Sequence, residues 1–241
     1  MDKYWLERTE LLIKEDGLEK LNKAKVLVVG LGGVGSFAAE FLARAGVGSM
    51  TIVDGDTVDI TNINRQLPAL HSTVGKHKVE VVAERLLDIN PALQLVKINE
   101  FLNPERMDEV LDADQFDYIL DCIDSVTPKL CLIRAAKRRK IKIVSSMGAG
   151  GKTDPSKVMV RDISKTQNCF LARQIRKRLK KEKINKGFRC VFSNELQQEE
   201  SLKMTDGLNY KRSFYGTISY MPAIFGLYAA SEVINYLVKK D

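Results

Sequence analysis

Residues 25 to 36 read KVLVVGLGGVGS. The run Val26 to Val29 has no polar member, as expected of a parallel strand covered on both faces. It stops at a glycine and gives way to a helical pattern from Gly33 to Arg44. Gly30, Gly32 and Gly35 therefore form G-x-G-x-x-G between a strand and a helix. There, backbone N–H groups and the helix dipole favour a phosphate or another anionic part of a nucleotide. Alone the glycines are weak evidence, since any tight strand-to-helix turn needs them. SMTIVD (49–54) supplies the second strand of a βαβ unit and puts Asp54 at its end, about 20 residues on, where a carboxylate accepts hydrogen bonds from ribose hydroxyls.

Working outward, the alternation continues. A helix is expected from about Val74 to Asp88, then a strand LQLVKIN (93–99), with Asn90-Pro91 as the break between them. Pro104 suits the first turn of a short helix reaching Leu111. FDYILDCID (116–124) reads as a buried strand, Pro128 opens a helix ending in the basic tip Lys137 to Lys140, and IKIVSSM (141–147) makes a fifth parallel strand. This predicts an α/β fold: a Rossmann-like, mostly parallel sheet with helices on both faces and ligands at the strands' carboxyl ends. Beyond GAGGKTDPSK (148–157), VMVRDI (158–163) and CVFSNE (190–195) are expected to extend the sheet as antiparallel strands. YGTISYMPAIFGLYAASEVINYLV (215–238) leads into an apolar helix packed on the core. One domain is expected over 1–241, with a nucleotide-binding half at about 20–150 and a substrate-facing extension at about 151–241.

The 241 residues are 44% hydrophobic, enough for one α/β domain with a sizeable core. No apolar run approaches ~18 residues and MDKYWLERTE is no signal segment, so no membrane span and a cytoplasmic location are expected. Four cysteines without a C-x-x-C pair, and two histidines, supply a structural zinc poorly. The cysteines read as buried thiols. Net charge is +7, and Arg173, Arg176, Lys177, Arg178, Lys180, Lys181, Lys183, Lys186 and Arg189 concentrate it in one segment. Such a cluster is either a solvated helix face or a polyanion-binding surface.

The stretch VDGDTVDITNINRQ (53–66) begins with Asp54 but ends in residues that a dinucleotide fold does not need. Arg65 offers a planar donor fork for phosphate oxygens, and Lys78, on the next helix, a point charge at the same end of the sheet. Singly each is a solvated charge; together with Asn62 and Gln66 they point to a nucleotide whose phosphates react. Asp124 ends the fourth strand at the mouth of the sheet, where a carboxylate can hold Mg²⁺ against a triphosphate or cap the following helix.

GLGGVGS (30–36), VDGD with N-x-N-R-Q (53–66), Lys78 and DCIDS (121–125), in this order and spacing, resemble the ubiquitin-activating-enzyme-like (ThiF-type) adenylyltransferases over most of the chain. INP (89–91), CIDSVTPK (122–129), GAGGKTDP (148–155) and CVFSNE (190–195), with the basic segment, are similar to the tRNA threonylcarbamoyladenosine dehydratase branch. That resemblance implies ATP-dependent adenylation of the threonylcarbamoyl carboxylate on the adenosine at position 37 of tRNA, then ring closure with net loss of water. It implies that Gly30, Gly32, Gly33, Gly35, Asp54 and Asp56 hold the nucleotide, that Asn62, Arg65 and Gln66 take the phosphates, that Lys78 faces the α-phosphate and that Asp124 holds Mg²⁺. Arg65, Lys78 and Asp124 are the candidate catalytic residues. It further implies a homodimer in which Arg8 reaches an ATP site, and leaves open a monovalent cation near Gly148 to Asp154 and a sulfur-transfer protein as partner. Arg173, Arg176, Lys177, Arg178, Lys180, Lys181 and Lys183 are the candidate tRNA contacts.

This sequence departs from the family in having no cysteine in NYKRSFYGTIS (209–219), and Cys169 or Cys190 are poor substitutes because ring closure within the substrate needs no enzyme nucleophile. The main alternative is adenylation of the C-terminus of a ubiquitin-like sulfur-carrier protein. A NAD-dependent oxidoreductase would leave Arg65, Lys78 and Asp124 unexplained, and a non-catalytic nucleotide sensor would have no need of Arg65 and Asp124.

Overall fold

The computed structural model describes residues 4–204 and 213–239; the first four residues of the segment 209–219 lie outside them. After helix α1 (Glu7–Lys23) the chain alternates: β1 (Lys25–Val29), α2 (Gly35–Arg44), β2 (Ser49–Val53), α3 (Lys78–Ile89), β3 (Gln94–Ile98), α4 (Pro104–Asp112), β4 (Tyr118–Asp121), α5 (Val126–Arg138) and β5 (Lys142–Ser146). Then come β6 (Val158–Asp162), α6 (Phe170–Lys180), β7 (Arg189–Ser193), the short strands β8 (Leu202–Met204) and β9 (Ser213–Tyr215), and α7 (Tyr220–Lys239).

The main sheet has the order β3-β2-β1-β4-β5-β7-β6. β3 to β5 are parallel, β7 runs parallel to β5, and β6 is antiparallel to β7. The expected extension is therefore present, with its antiparallel pairing at the β6–β7 edge, and β8 pairs antiparallel with β9 in a separate two-stranded sheet. Alternate residues of β1 serve opposite faces. Val26 and Val28 join a core with α2, α3 and α7, and Leu27 and Val29 join a second core with α4, α5 and α6. α7 is apolar and long enough to cross a membrane by length and composition, unlike the expectation from the linear sequence. Met221, Phe225, Ala229, Ala230 and Val233 are nevertheless buried in the first core, so this apolarity is spent on the domain itself.

Element boundaries shift for local reasons. α3 begins at Lys78 rather than near Val74, because Gly75 takes φ +85° and Val58 N–H donates to Lys76 O (2.8 Å), drawing 74–77 into a turn. α5 begins at Val126, two residues before Pro128, with Ser125 at its N-cap. A proline is tolerated there because first-turn N–H groups have no intrahelical partner.

The least expected part of the core is charged. Lys129 and Asp121 are both fully buried and paired at 2.8 Å, where α5 crosses the ends of β4 and β5. Lys129 Nζ also donates to Ser146 O (2.9 Å) and lies 3.2 Å from Ser145 Oγ, whose hydroxyl donates to Asp121 (2.6 Å). Every charge is matched, as burial requires. Lys129→Ala should cost about 3–5 kcal/mol in urea unfolding by stranding Asp121, whereas the double change Lys129→Met with Asp121→Leu should recover most of it. Equal losses in the two proteins would show that the pairing is not what matters.

Candidate functional site

Three loops meet at the carboxyl ends of β1, β2 and β4, the switch point of the sheet order, where doubly wound folds bind ligands. The first is the glycine turn. Gly30 has φ +92°, and a Cβ on it would stand 2.9 Å from Cys122 O. A Cβ on Gly35 would stand 1.7 Å from Gly30 O, so no other residue fits. Ser36 Oγ donates to Gly32 O (2.6 Å) and fastens the start of α2.

The second loop runs from β2 to α3. Asp54 accepts from Leu31 N–H (2.6 Å) and Asp56 N–H (2.8 Å), which ties the end of β2 to the glycine turn. Burial raises its carboxyl above the ordinary value; the Lys78 charge and the two backbone bonds act against that rise. Lys78, 5% exposed, pairs with Asp56 at 2.9 Å. Asp54, Asp56, Lys78 and the glycine turn are thus one bonded unit.

Asn62 is buried and structural. Its Oδ1 accepts from Asp59 N–H (3.3 Å), and its carbonyl accepts from the N–H groups of Arg65 (3.0 Å) and Gln66 (2.9 Å). In this structure it shapes the turn that carries Arg65. Arg65 Nη1 donates to Thr61 O (3.0 Å) and Asn64 Oδ1 (2.8 Å). Its carbonyl is 3.1 Å from where a Gly33 Cβ would be. The Gln66 amide lies over Gly32, and Gln66 Oε1 is a buried polar atom without a hydrogen-bond partner. Such an atom costs free energy unless something supplies a partner. Gln66 Oε1 faces Gly32 of the glycine turn. Asn64 Nδ2 donates to Thr217 O (3.0 Å), joining this loop to the C-terminal extension.

The third loop follows β4. Asp121 Oδ1 accepts from Ile123 N–H (3.1 Å), so the buried Lys129–Asp121 pair also fixes the path of residues 122–125. Asp124 is exposed at the mouth and accepts from Ser125 Oγ (3.2 Å). Ser125, not Asp124, is the N-cap position of α5. Among the described residues no three His, Cys, Asp or Glu side chains cluster as a metal site.

Other expected residues lie elsewhere. Arg8 is exposed on α1, and Leu6, just before it, packs at Gly46, beside the amino end of β2. This chain therefore puts Arg8 at the end of the sheet opposite its own site. Of the basic residues, Arg173, Lys177, Arg178, Lys180, Lys181 and Lys183 are exposed on or just after α6. Arg176 is held by Thr166 O (2.9 Å) and Thr166 Oγ1, and Arg189 pairs with Glu232 at 2.8 Å, so these two are tied into the fold. Cys169 and Cys190 are buried, and burial pushes the Cys190 thiol far up, which leaves it unfit as a nucleophile.

Residues missed in the linear sequence are the buried cations. Besides Lys129, Lys152 is 2% exposed and donates to Ser193 O (3.3 Å), Asn168 O (3.4 Å) and Glu195 O. The Glu195 carboxylate in turn accepts from the Thr153 (3.0 Å) and Asp154 (2.9 Å) N–H groups. Nothing in the local pattern GAGGKTDP distinguishes Lys152 from a surface lysine.

A doubly wound sheet with this glycine turn, a carboxylate at the end of β2 and a second, arginine-bearing loop defines an α/β protein of the nucleotide-binding kind. The chain belongs to the ThiF family, whose pattern matches residues 6–241. It is 40% identical over 239 residues to the tRNA threonylcarbamoyladenosine dehydratase of Bacillus subtilis, covering 96% of this chain and 94% of that one. The structure of the Escherichia coli tRNA N6-threonylcarbamoyladenosine dehydratase in complex with AMP superposes with a TM-score of 0.87 at 37% identity, covering 98% of this chain and 96% of that one. Similarity to the E. coli molybdopterin-synthase adenylyltransferase, 46% over 80 residues, covers 33% of this chain and 32% of that one.

The raised pKa of Asp54 makes stability and ligand binding depend on pH. Folding holds the proton more tightly than the unfolded chain does, so the empty protein loses stability from this group as pH rises from 3.8 through the raised value. Ribose binding needs the carboxylate as acceptor. Affinity for adenosine, which has no ionising phosphate, should therefore fall on acidification at a pH above that of an ordinary aspartate, and Asp54→Ala should remove the dependence. A calorimetric titration that stays flat into the ordinary aspartate range would take Asp54 off the ribose.

Proposed function

We propose that this chain uses ATP to adenylate the carboxylate of the threonylcarbamoyl group on the adenosine at position 37 of tRNA, and that the activated carboxylate then closes into a ring. The observation that carries the reading is the 59–66 loop laid over the glycine turn, with the Arg65 carbonyl against Gly33, the Gln66 amide over Gly32, and the buried Lys78 bonded to the unit below. A fold that only holds a dinucleotide has no use for that second layer. Likeness to the dehydratases along nearly the whole chain supports the choice of substrate.

The chemistry follows from charge. A carboxylate approaching the α-phosphorus is repelled by the phosphate oxygens, and pyrophosphate gathers charge as it leaves. In this reading the glycine turn and Asp54 fix the nucleotide, and the Arg65 fork and the Lys78 ammonium offset the negative charge. Substrate oxygen bonds to phosphorus, the bond to pyrophosphate breaks, and an internal nucleophile of the threonylcarbamoyl group later displaces AMP, which carries off the carboxylate oxygen. Asp124 is suited to Mg²⁺, an ion that commonly takes one or two carboxylates and completes its shell with water and phosphate oxygens. When bound there, Mg²⁺ neutralises triphosphate charge. We assign the exposed face of α6 to the tRNA and read the protein as a cytoplasmic one. We also read a homodimer, supported by the exposed Leu11 and Leu12 on the helix of Arg8.

Arg65→Ala and Asp124→Ala should each lower ATP-dependent pyrophosphate release by at least ~10²-fold while leaving the unfolding transition unchanged. Mass spectrometry of nucleosides from threonylcarbamoyladenosine-containing tRNA should show loss of the mass of one water with the wild-type protein, ATP and Mg²⁺. Pyrophosphate release that appears only on adding a ubiquitin-like carrier protein would replace the tRNA reading with carrier activation.

A further inference from the structure

α6 has one buried side and one organised exposed side. Ala172, Ile175 and Leu179 face the core. Phe170, Arg173, Lys177 and Lys180 recur at spacings of three and four and so share one face. Three cations thus run in a row below an aromatic ring at the helix start. The ring does not belong to the core: Phe170 is 48% exposed, and the Arg173 guanidinium sits 5.2 Å from its centroid. The cations line a concavity of about 520 Å³ floored by Ile163 and Ile184.

A short series of bonds and packing contacts joins the start of α6 to the 59–66 loop. Phe170 N–H donates to Gln197 Oε1 (3.3 Å), and Gln197 Nε2 donates to Gly150 O (3.2 Å). Gly150 packs against Tyr215 and Thr217, and Thr217 O receives Asn64 of the loop that carries Arg65. The aromatic end of the stripe therefore faces the reacting end of the sheet, and the cations lead away from it. An exposed ring beside a cation row is what single-stranded nucleic acid uses: bases stack on the ring while phosphates follow the charges. A paired stem would satisfy the cations but offers no open base for Phe170.

We propose that Phe170, with the Arg173 guanidinium, is a stacking platform for one unpaired base of the tRNA anticodon loop, and that the platform brings the adjacent modified adenosine to the site. The proposal rests on the tRNA reading above. Its test is fluorescence anisotropy of the full-length protein at fixed salt, with labelled threonylcarbamoyladenosine-containing tRNA and with a fully paired RNA duplex of equal charge. Phe170→Ala should weaken tRNA binding by about tenfold, leave duplex binding, ATP affinity and the salt dependence unchanged, and be rescued by Phe170→Trp. Lys177→Glu should weaken both RNAs and flatten the salt dependence. If Phe170→Ala binds tRNA like the wild type while Lys177→Glu does not, the platform is refuted and the tRNA surface stands. If neither change alters RNA binding, this face is not the RNA surface and both readings of it fall.

Discussion

The site depends on how little room there is where β1 turns into α2. Gly30 lies against the backbone of Cys122, and Gly35 lies against the carbonyl of Gly30 itself. Those contacts bring the ends of β1 and β4 together and leave backbone N–H groups at the head of α2 free to face a ligand. Asp54 then locks the end of β2 to the same turn through Leu31 N–H. One added methyl group at Gly35 would separate all three strand ends, and with them the loops that carry Arg65, Lys78 and Asp124.

Around that turn, buried cations do much of the fastening. Lys129 holds the ends of β4 and β5, Lys78 holds the β2–α3 loop through Asp56, and Lys152 gathers the carbonyls that end β7 and precede α6. Each is buried against fixed oxygen partners, and a buried charge persists only where such partners surround it. The result is a rigid rim at the carboxyl ends of the strands. On it sit the glycine turn and the 59–66 loop, the latter joined through Asn64 and Thr217 to the extension that bears α6.

Much of this was legible beforehand. The apolar runs of β1 and β4, the glycine spacing and Asp54 suffice for the sheet and its ligand-binding end, because each is a local pattern with one structural solution. Element starts were less legible where a turn competes with a helix, as at Gly75 and Pro128. That the Asn62 Oδ1 and carbonyl build the turn that carries Arg65 was not legible, and β7, expected to be antiparallel, runs parallel to its partner β5. The membrane-length apolarity of α7 could be judged only once its burial was known.

By itself, the amino-acid sequence determined the doubly wound core, which follows from periodicity and glycine geometry, and the family, which follows from motifs in a fixed order along the chain. Only the tertiary structure decided which charges are buried, which basic residues remain exposed and that Phe170 stands at the head of the cation row. Those properties arise from contacts between segments far apart in the chain. A lysine in a short motif looks the same whether solvent or three carbonyls await it.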